Sequence, residues 1–297
     1  MAESHRQYTR TRIAPTPSGY LHLGNILSFA LSASLAGKYG AKVLLRIDDL
    51  DRQRADIRYI EDIFETLNFL DIPWHEGPRD AAGHEEKYSQ LHRMPYYRQA
   101  LQQLAQNNCV FACTCSRTQL KSAALCLCAA KKLPLDTEGA SWRLQTDNEL
   151  ILNIKTLTGN APLHLPTAMQ NFVVKKRDGF PAYQLTSVVD DLHYSTDLVI
   201  RGEDLWASTL AQHYLAAKLG TAAFNQIAFY HHPLLMGPGG VKLSKSAGDT
   251  SVQYLRRQGK TAGEIYSMLS GMLNLGSGVT NWQQLAIRFY NTYECDR

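Results

Sequence analysis

Within its first fifty residues the chain spells out a strand, a helix and a second strand, and that order leaves few folds open. Residues 8–13 read as a short strand. "VLLRI", residues 43–47, is a continuous branched apolar run of the kind buried on both faces of a parallel sheet. Between them Ile26, Leu27, Phe29, Ala30, Leu31, Leu35 and Ala36 give a helix from Asn25 to about Lys38 a broad buried face, closed by Gly37 and Gly40. Strand, helix and strand in this span make a βαβ unit, so an α/β fold is expected.

Ile57, Ile60, Ile63, Phe64 and Leu67 repeat at helical spacing on the next element. The middle differs. A helix is expected over about 85–106, and "CVFACTC", "SWRLQT" and "NFVVKKRDG" read as short strands joined by irregular chain. The α/β pattern then resumes. "AYQLTSVVDD" and "STLAQHYLAAKLG" read as helices, "TDLVI" and "IAFYHHPLL" as strands, and the remainder looks helical, with Ile265, Met268, Leu269 and Met272 on one face. For 297 residues this predicts a core in two halves, 1–75 and 176–246, an α+β insertion over 76–175, and a short helical segment over 247–297.

The formal net charge of +4 is compatible with a polyanionic partner without requiring one. "MAESHRQYTR" has no apolar core for a signal peptide, and no run reaches the roughly 18 apolar residues of a bilayer span. A cytoplasmic protein with no membrane partner is therefore expected, its six cysteines being thiols or metal ligands rather than disulfides.

Two segments suggest a nucleotide site. In an open parallel sheet ligands bind beyond the carboxyl ends of the strands, where helix N-termini point unpaired N–H groups. "HLGN" sits at such a place, with His22 and Asn25 as donors and Gly24 allowing close approach to the backbone. Far along the chain, "MGPGGVKLSKSAGD" carries Lys242, Ser244, Lys245 and Ser246 on a glycine-rich loop, and lysines so spaced can clamp a triphosphate. Taken singly, each has a plainer reading: a histidine filling a polar pocket, and a solvated basic loop.

Together, "HLGN" and "KLSKS" resemble the two nucleotide-binding motifs of class I aminoacyl-tRNA synthetases. "RIAPTPSGYLHLGN", "LLRIDDLDRQR", "DGFPAYQLTSVVDD" and "LVIRGEDL" are similar to the glutamyl branch, the likeness covering about residues 10–250. The resemblance implies a Rossmann-type catalytic core split by an inserted α+β domain, ATP as substrate with Mg²⁺, and His22 and Lys245 as catalytic groups. It implies a glutamate site that includes Ala14 and Thr16. With 51 residues after Ser246, fewer than a helical anticodon-binding part needs, the match is to short members of the branch. These load glutamate onto the queuosine base in the anticodon of tRNA(Asp) rather than onto a 3′ end, and a monomer is expected.

The residue chemistry agrees on its own terms. A dicarboxylate amino acid needs two cationic partners and an anionic one. Arg12 and Arg201 end strands at the same crevice, Asp48 offers a carboxylate for the ammonium, and Tyr183 offers a hydroxyl. The competing reading makes Arg12, Asp48 and Arg201 a structural ion-pair network. Where the family pattern reads "RIED", this chain has Asp48, one methylene shorter: the pocket shifts, a water bridges, or the substrate is not glutamate. Two rival functions stay open, an adenylate-forming ligase using a carrier protein, a small amine or a tRNA 3′ end as acceptor, and a non-catalytic nucleic-acid-binding remnant.

Cys113, Cys115, Cys126 and Cys128 form C-x-C-x10-C-x-C, with Cys109 just upstream and Cys295 remote. Four thiolates on two short arms suit a closed structural zinc site, and buried free thiols are the alternative. The family's knuckle begins C-x-C and ends with a tyrosine and a cysteine, so Cys126 stands for the tyrosine and Cys128 for the last ligand. His231 and His232 alternate on a strand and cannot share a metal easily. Lys131, Lys132, Lys175, Lys176 and Arg177 offer a basic surface for phosphates.

Overall fold

The computed structural model describes residues 7–122, 126–147, 149–236 and 251–293. β1 (Arg10–Ile13), α1 (Leu23–Tyr39) and β2 (Lys42–Leu45) form the expected βαβ unit, the strands parallel with Arg10 opposite Lys42 and Ile13 opposite Leu45. Gly40 ends α1 at φ 73°, a left-handed conformation that costs glycine nothing. α2 (Ile57–Phe69) follows, its N-cap Asp56 accepting from Arg58 N.

The helix expected over 85–106 is interrupted. One turn of α3 (Ala81–Gly83) runs into a π-turn at His84–Tyr88 and a 3₁₀ turn at Gln90–Arg93, and only then does α4 (Met94–Gln106) begin, with Pro95 in its first turn. The reason is tertiary. Ser89 leaves the helical region, and this turns Gln90 and Arg93 inward onto Asp49 and Asp190, bonds that a continuous helix would forgo.

β3 (Val110–Cys113) is followed by the short helices α5 (Arg117–Ser122) and α6 (Cys128–Lys131), then β4 (Ser141–Leu144), β5 (Leu152–Thr156), β6 (Gly159–Leu163) and β7 (Val173–Lys175). β3, β4 and β7 make a small antiparallel sheet. The stretch 76–175 also contributes to the sheet of β8 and β9. Its β5–β6 hairpin joins the main sheet, Thr156 pairing with Phe229, because Leu152 and Ile154 alternate inward and need that surface to cover them. α4 likewise packs Tyr97, Leu101 and Leu104 into a core shared with α7 (Tyr183–His193) and α8 (Trp206–Lys218).

β8 (Leu198–Gly202) lies between α7 and α8 in sequence and runs parallel to β9 (Ala228–His232). Asp197 ties β8 to β1: its N–H donates to Arg10 O at 3.0 Å, and its carboxylate accepts from Thr9 and Arg10 N–H at 2.8 and 2.9 Å. Side chains along β8 alternate between two cores, Leu198 and Ile200 facing α1 and Val199 facing α7 and α8. α9 (Val252–Arg257), α10 (Ala262–Met272) and α11 (Trp282–Tyr293) cover the α1 side, with Tyr290 Oη donating to Leu31 O at 3.1 Å. No described helix is long and apolar enough to cross a membrane.

Candidate functional site

The carboxyl ends of β1, β2, β8 and β9 open onto one cavity of about 560 Å³. Every described residue singled out above for the nucleotide or the amino acid lines it: His22, Gly24 and Asn25 from the mouth of α1, Arg12, Ala14 and Thr16 from β1 and its loop, and Asp48, Tyr183 and Arg201.

At the mouth of α1 the histidine caps the helix. His22 Nδ1 accepts from Gly24 N–H at 3.1 Å, and Asn25 Oδ1 accepts from His22 N–H at 3.1 Å, a reciprocal capping box. An accepting Nδ1 places the neutral imidazole's proton on Nε2. The ring is thus both helix cap and N–H donor, which answers why a histidine stands there. Gly24 has a second explanation besides approach of a ligand: a Cβ there would lie 2.9 Å from His22 Cε1, so glycine leaves room for the ring.

The charged floor is a network around an arginine that sequence reasoning did not single out. Arg46 Nε and Nη2 grip the two Asp48 oxygens at 2.8 and 3.3 Å, while Nη1 donates to Asp191 Oδ1 at 2.6 Å. Arg12 Nε donates to the same Asp191 oxygen at 3.2 Å. Burial pushes the Asp48 carboxyl above its ordinary value, and Arg46 opposes this only in part. Burial pushes Asp191 up as well, but Arg46 and Arg12 outweigh it and hold this carboxyl low. The ion-pair reading therefore holds in part: Arg12 and Asp48 are paired, but with Asp191 and Arg46. Arg201 differs. It is 4% exposed, and its Nη1 makes no hydrogen bond. Burial draws the guanidinium down to about 10.

Lys242, Ser244 and Lys245 lie outside the described residues. The chain on either side of them is placed at this rim. Leu234 and Leu235 line the cavity, Ser251 bridges to His22, and Val252 N–H donates to Leu21 O at 2.8 Å. His231 and His232 face opposite ways, as strand alternation requires. His232 lines the cavity and bonds Ser28 Oγ at 2.6 Å, and His231 turns toward Thr209 on α8. Of the pair, of which strand alternation allows at most one to face the nucleotide, it is thus His232 that lines the cavity. Arg46 is the lining residue that sequence reasoning missed; its place two residues before Asp48 in a buried run was the signal available.

The four cysteines meet. Their sulfurs all lie within 4.8 Å of one another, with separations of 3.5 Å (Cys113–Cys126), 3.8 Å (Cys115–Cys126) and 3.4 Å (Cys115–Cys128). A zinc tetrahedron with bonds near 2.3 Å has sulfur–sulfur edges of about 3.8 Å, far longer than the roughly 2 Å of a disulfide. The donor set fits zinc. Arg177 spans from β7 to this knuckle, donating to Thr114 O and Cys115 O at 2.6 and 2.7 Å. Lys175 sits over the Trp142 ring at 4.3 Å, and Lys176 pairs with Asp178 at 3.0 Å, so part of the expected basic surface is engaged within the protein.

Residues 8–131 and 131–288 match the family model described as tRNA synthetases class I (E and Q), catalytic domain. The chain is 31% identical over 268 residues to glutamate–tRNA ligase 2 of Syntrophus aciditrophicus, covering 84% of this chain and 54% of that protein. It spans about half the length of such ligases. It is 34% identical over 284 residues to the glutamyl-Q tRNA(Asp) synthetase of Symbiobacterium thermophilum, covering 89% of this chain and 86% of that one. In fold it is similar to the crystal structure of glutamate–tRNA synthetase from Elizabethkingia anophelis, with a TM-score of 0.70 at 22% identity, covering 94% of this chain and 65% of that one.

Proposed function

Since this chain belongs to the class I tRNA synthetase family of the glutamyl and glutaminyl type, we propose that it activates glutamate with ATP and transfers it to the queuosine base in the anticodon of tRNA(Asp). The observation that carries the first step is one cavity lined by three buried arginines, a carboxylate and a histidine-capped helix N-terminus. Support for the acceptor comes from the likeness to a glutamyl-Q tRNA(Asp) synthetase over most of that protein's length.

Arg12 and Arg201 would hold the carboxylates. The fork from Arg46 takes one position on each Asp48 oxygen, and a carboxylate has about four, so the substrate ammonium can still be accepted. An α-carboxylate oxygen attacks the α-phosphorus of ATP, and the bond to the β-phosphate oxygen breaks, its electron pair leaving with pyrophosphate. His22 Nε2–H and the positive end of α1 face the charge that builds on phosphorus, and Lys245 would act from the other side. Mg²⁺ accompanying ATP would shield the triphosphate. A nucleophile on the modified base then attacks the carbonyl carbon of the mixed anhydride and gives its proton to solvent, while the bond from that carbon to the phosphate oxygen breaks and its electron pair leaves with AMP.

Labelled glutamate, ATP and tRNA(Asp) prepared with and without queuosine test the acceptor. Label is expected only on the queuosine-containing tRNA; equal labelling of both would rule out modified-base specificity.

Gly24→Ala tests the seat of the histidine. The loss of the cap, about 1 kcal/mol, and the gain from replacing glycine in a helix, also about 1 kcal/mol, nearly cancel, so the melting temperature should stay close to the parent's. The added methyl displaces the imidazole, and ATP–pyrophosphate exchange should fall about 10- to 100-fold. Zinc held by Cys113, Cys115, Cys126 and Cys128 would fix the knuckle and take no part in chemistry. Metal analysis should find about one zinc per chain, lost in Cys115→Ser, with transfer to tRNA impaired while glutamate-dependent exchange persists.

A further inference from the structure

Three buried arginines line the cavity, and they are not held alike. Arg12 is paired with Asp191 at 3.2 Å, and Arg46 with Asp48 at 2.8 Å and Asp191 at 2.6 Å. Among the described residues no carboxylate pairs with Arg201. Its partners are all neutral: Nη2 donates to Thr209 Oγ1 and to Gln212 Oε1, the latter at 2.9 Å, and Nε approaches His231 Nε2 at 3.4 Å. The Phe229 ring lies beneath it, 5.1 Å from ring centre to guanidinium carbon. The shell is neutral at a cost, since Gln212 Nε2 is buried without a hydrogen bond.

The polarity of the bonds fixes the state of His231. An arginine Nε can only donate, so His231 Nε2 must be unprotonated, and Thr209 Oγ1 lies 2.7 Å from the same nitrogen. Burial and the adjacent Arg201 draw this imidazole down to about 3, and Trp206 covers its edge at 4.6 Å. The shell thus stays uncharged, and Arg201 keeps a full charge together with an unsatisfied Nη1.

We propose that Gln212 and His231 are positioning residues whose neutrality makes Arg201 a seat for an anionic carboxylate and against its amide. Asp191 acts on Arg201 through space but is bonded to Arg12 and Arg46, so among the described residues no carboxylate touches this buried cation; a negatively charged ligand completes it, whereas glutamine would not. This deepens the proposed function and rests on it for the identity of the substrate.

Gln212→Glu is the test, because it keeps the shape of the shell and adds one negative charge beside Arg201. Glutamate and glutamine are compared by calorimetric binding and by ATP–pyrophosphate exchange in the parent, in Gln212→Glu and in the neutral variant His231→Gln. In Gln212→Glu the KM and Kd for glutamate should rise roughly 10- to 100-fold, the preference over glutamine should shrink, and the KM for ATP should hold. His231→Gln should retain the preference. Unchanged glutamate affinity and preference in a folded Gln212→Glu protein would overturn the inference, as would a parent that does not bind glutamate. A parent that binds glutamate, loses it on Gln212→Glu, yet shows no exchange would keep the seat and reject the activation reaction.

Discussion

Arg201→Ala is expected to raise the KM for glutamate in ATP–pyrophosphate exchange about 100- to 1000-fold while the KM for ATP changes little. The asymmetry follows from the surroundings. Arg201 spends Nη2 on Thr209 and Gln212 and has no acidic partner among the described residues, so removing it leaves no buried carboxylate stranded. Arg46 is the contrast. Its loss would expose Asp48 and Asp191 to each other in a buried site and would be read as unfolding rather than as lost binding. A folded, ATP-binding Arg201→Ala protein with an ordinary glutamate KM would remove Arg201 from the amino acid site.

The second large effect concerns His22, whose two roles can be separated. His22→Ala loses the cap and the imidazole, so it should lower both the stability of α1, by about 1 kcal/mol, and the exchange rate, by about 100- to 1000-fold. His22→Asn keeps an N-cap acceptor for Gly24 N–H or its neighbours but removes the ring. Its melting temperature should match the parent's while exchange falls as far as in the alanine variant. If His22→Asn kept the parent's exchange rate, the histidine would be a cap and nothing more.

What the sequence made legible, and what it hid, follows from whether the deciding forces were local. The βαβ unit was readable because its strands are apolar runs and its helix ends at glycine. The rim residues were readable because strand ends converge in a parallel sheet, and Arg12, His22, Asp48 and Arg201 do line one cavity. The break at Ser89 was not readable, since it is set by Asp49 and Asp190, the latter 101 positions along the chain from Ser89 and joined to Gln90 and Arg93. The pairing of the β5–β6 hairpin with β9 was not readable, because nothing local tells Leu152 and Ile154 which sheet will cover them. Arg46 escaped notice because it looks like part of a strand, and only the folded chain brings Asp191 to it. Lys242, Ser244 and Lys245 rest on the motif, with the described chain before and after them at the rim.

ATP–pyrophosphate exchange measured with each of the standard amino acids is the most direct test of the account. Glutamate is expected to support exchange in the absence of tRNA and to exceed aspartate and glutamine by a wide margin, because on the proposed reading its carboxylates meet Arg12 and Arg201 and its ammonium meets Asp48, all of which line the cavity. Exchange driven better by aspartate or glutamine, or none with glutamate in a folded preparation that binds ATP, would contradict it.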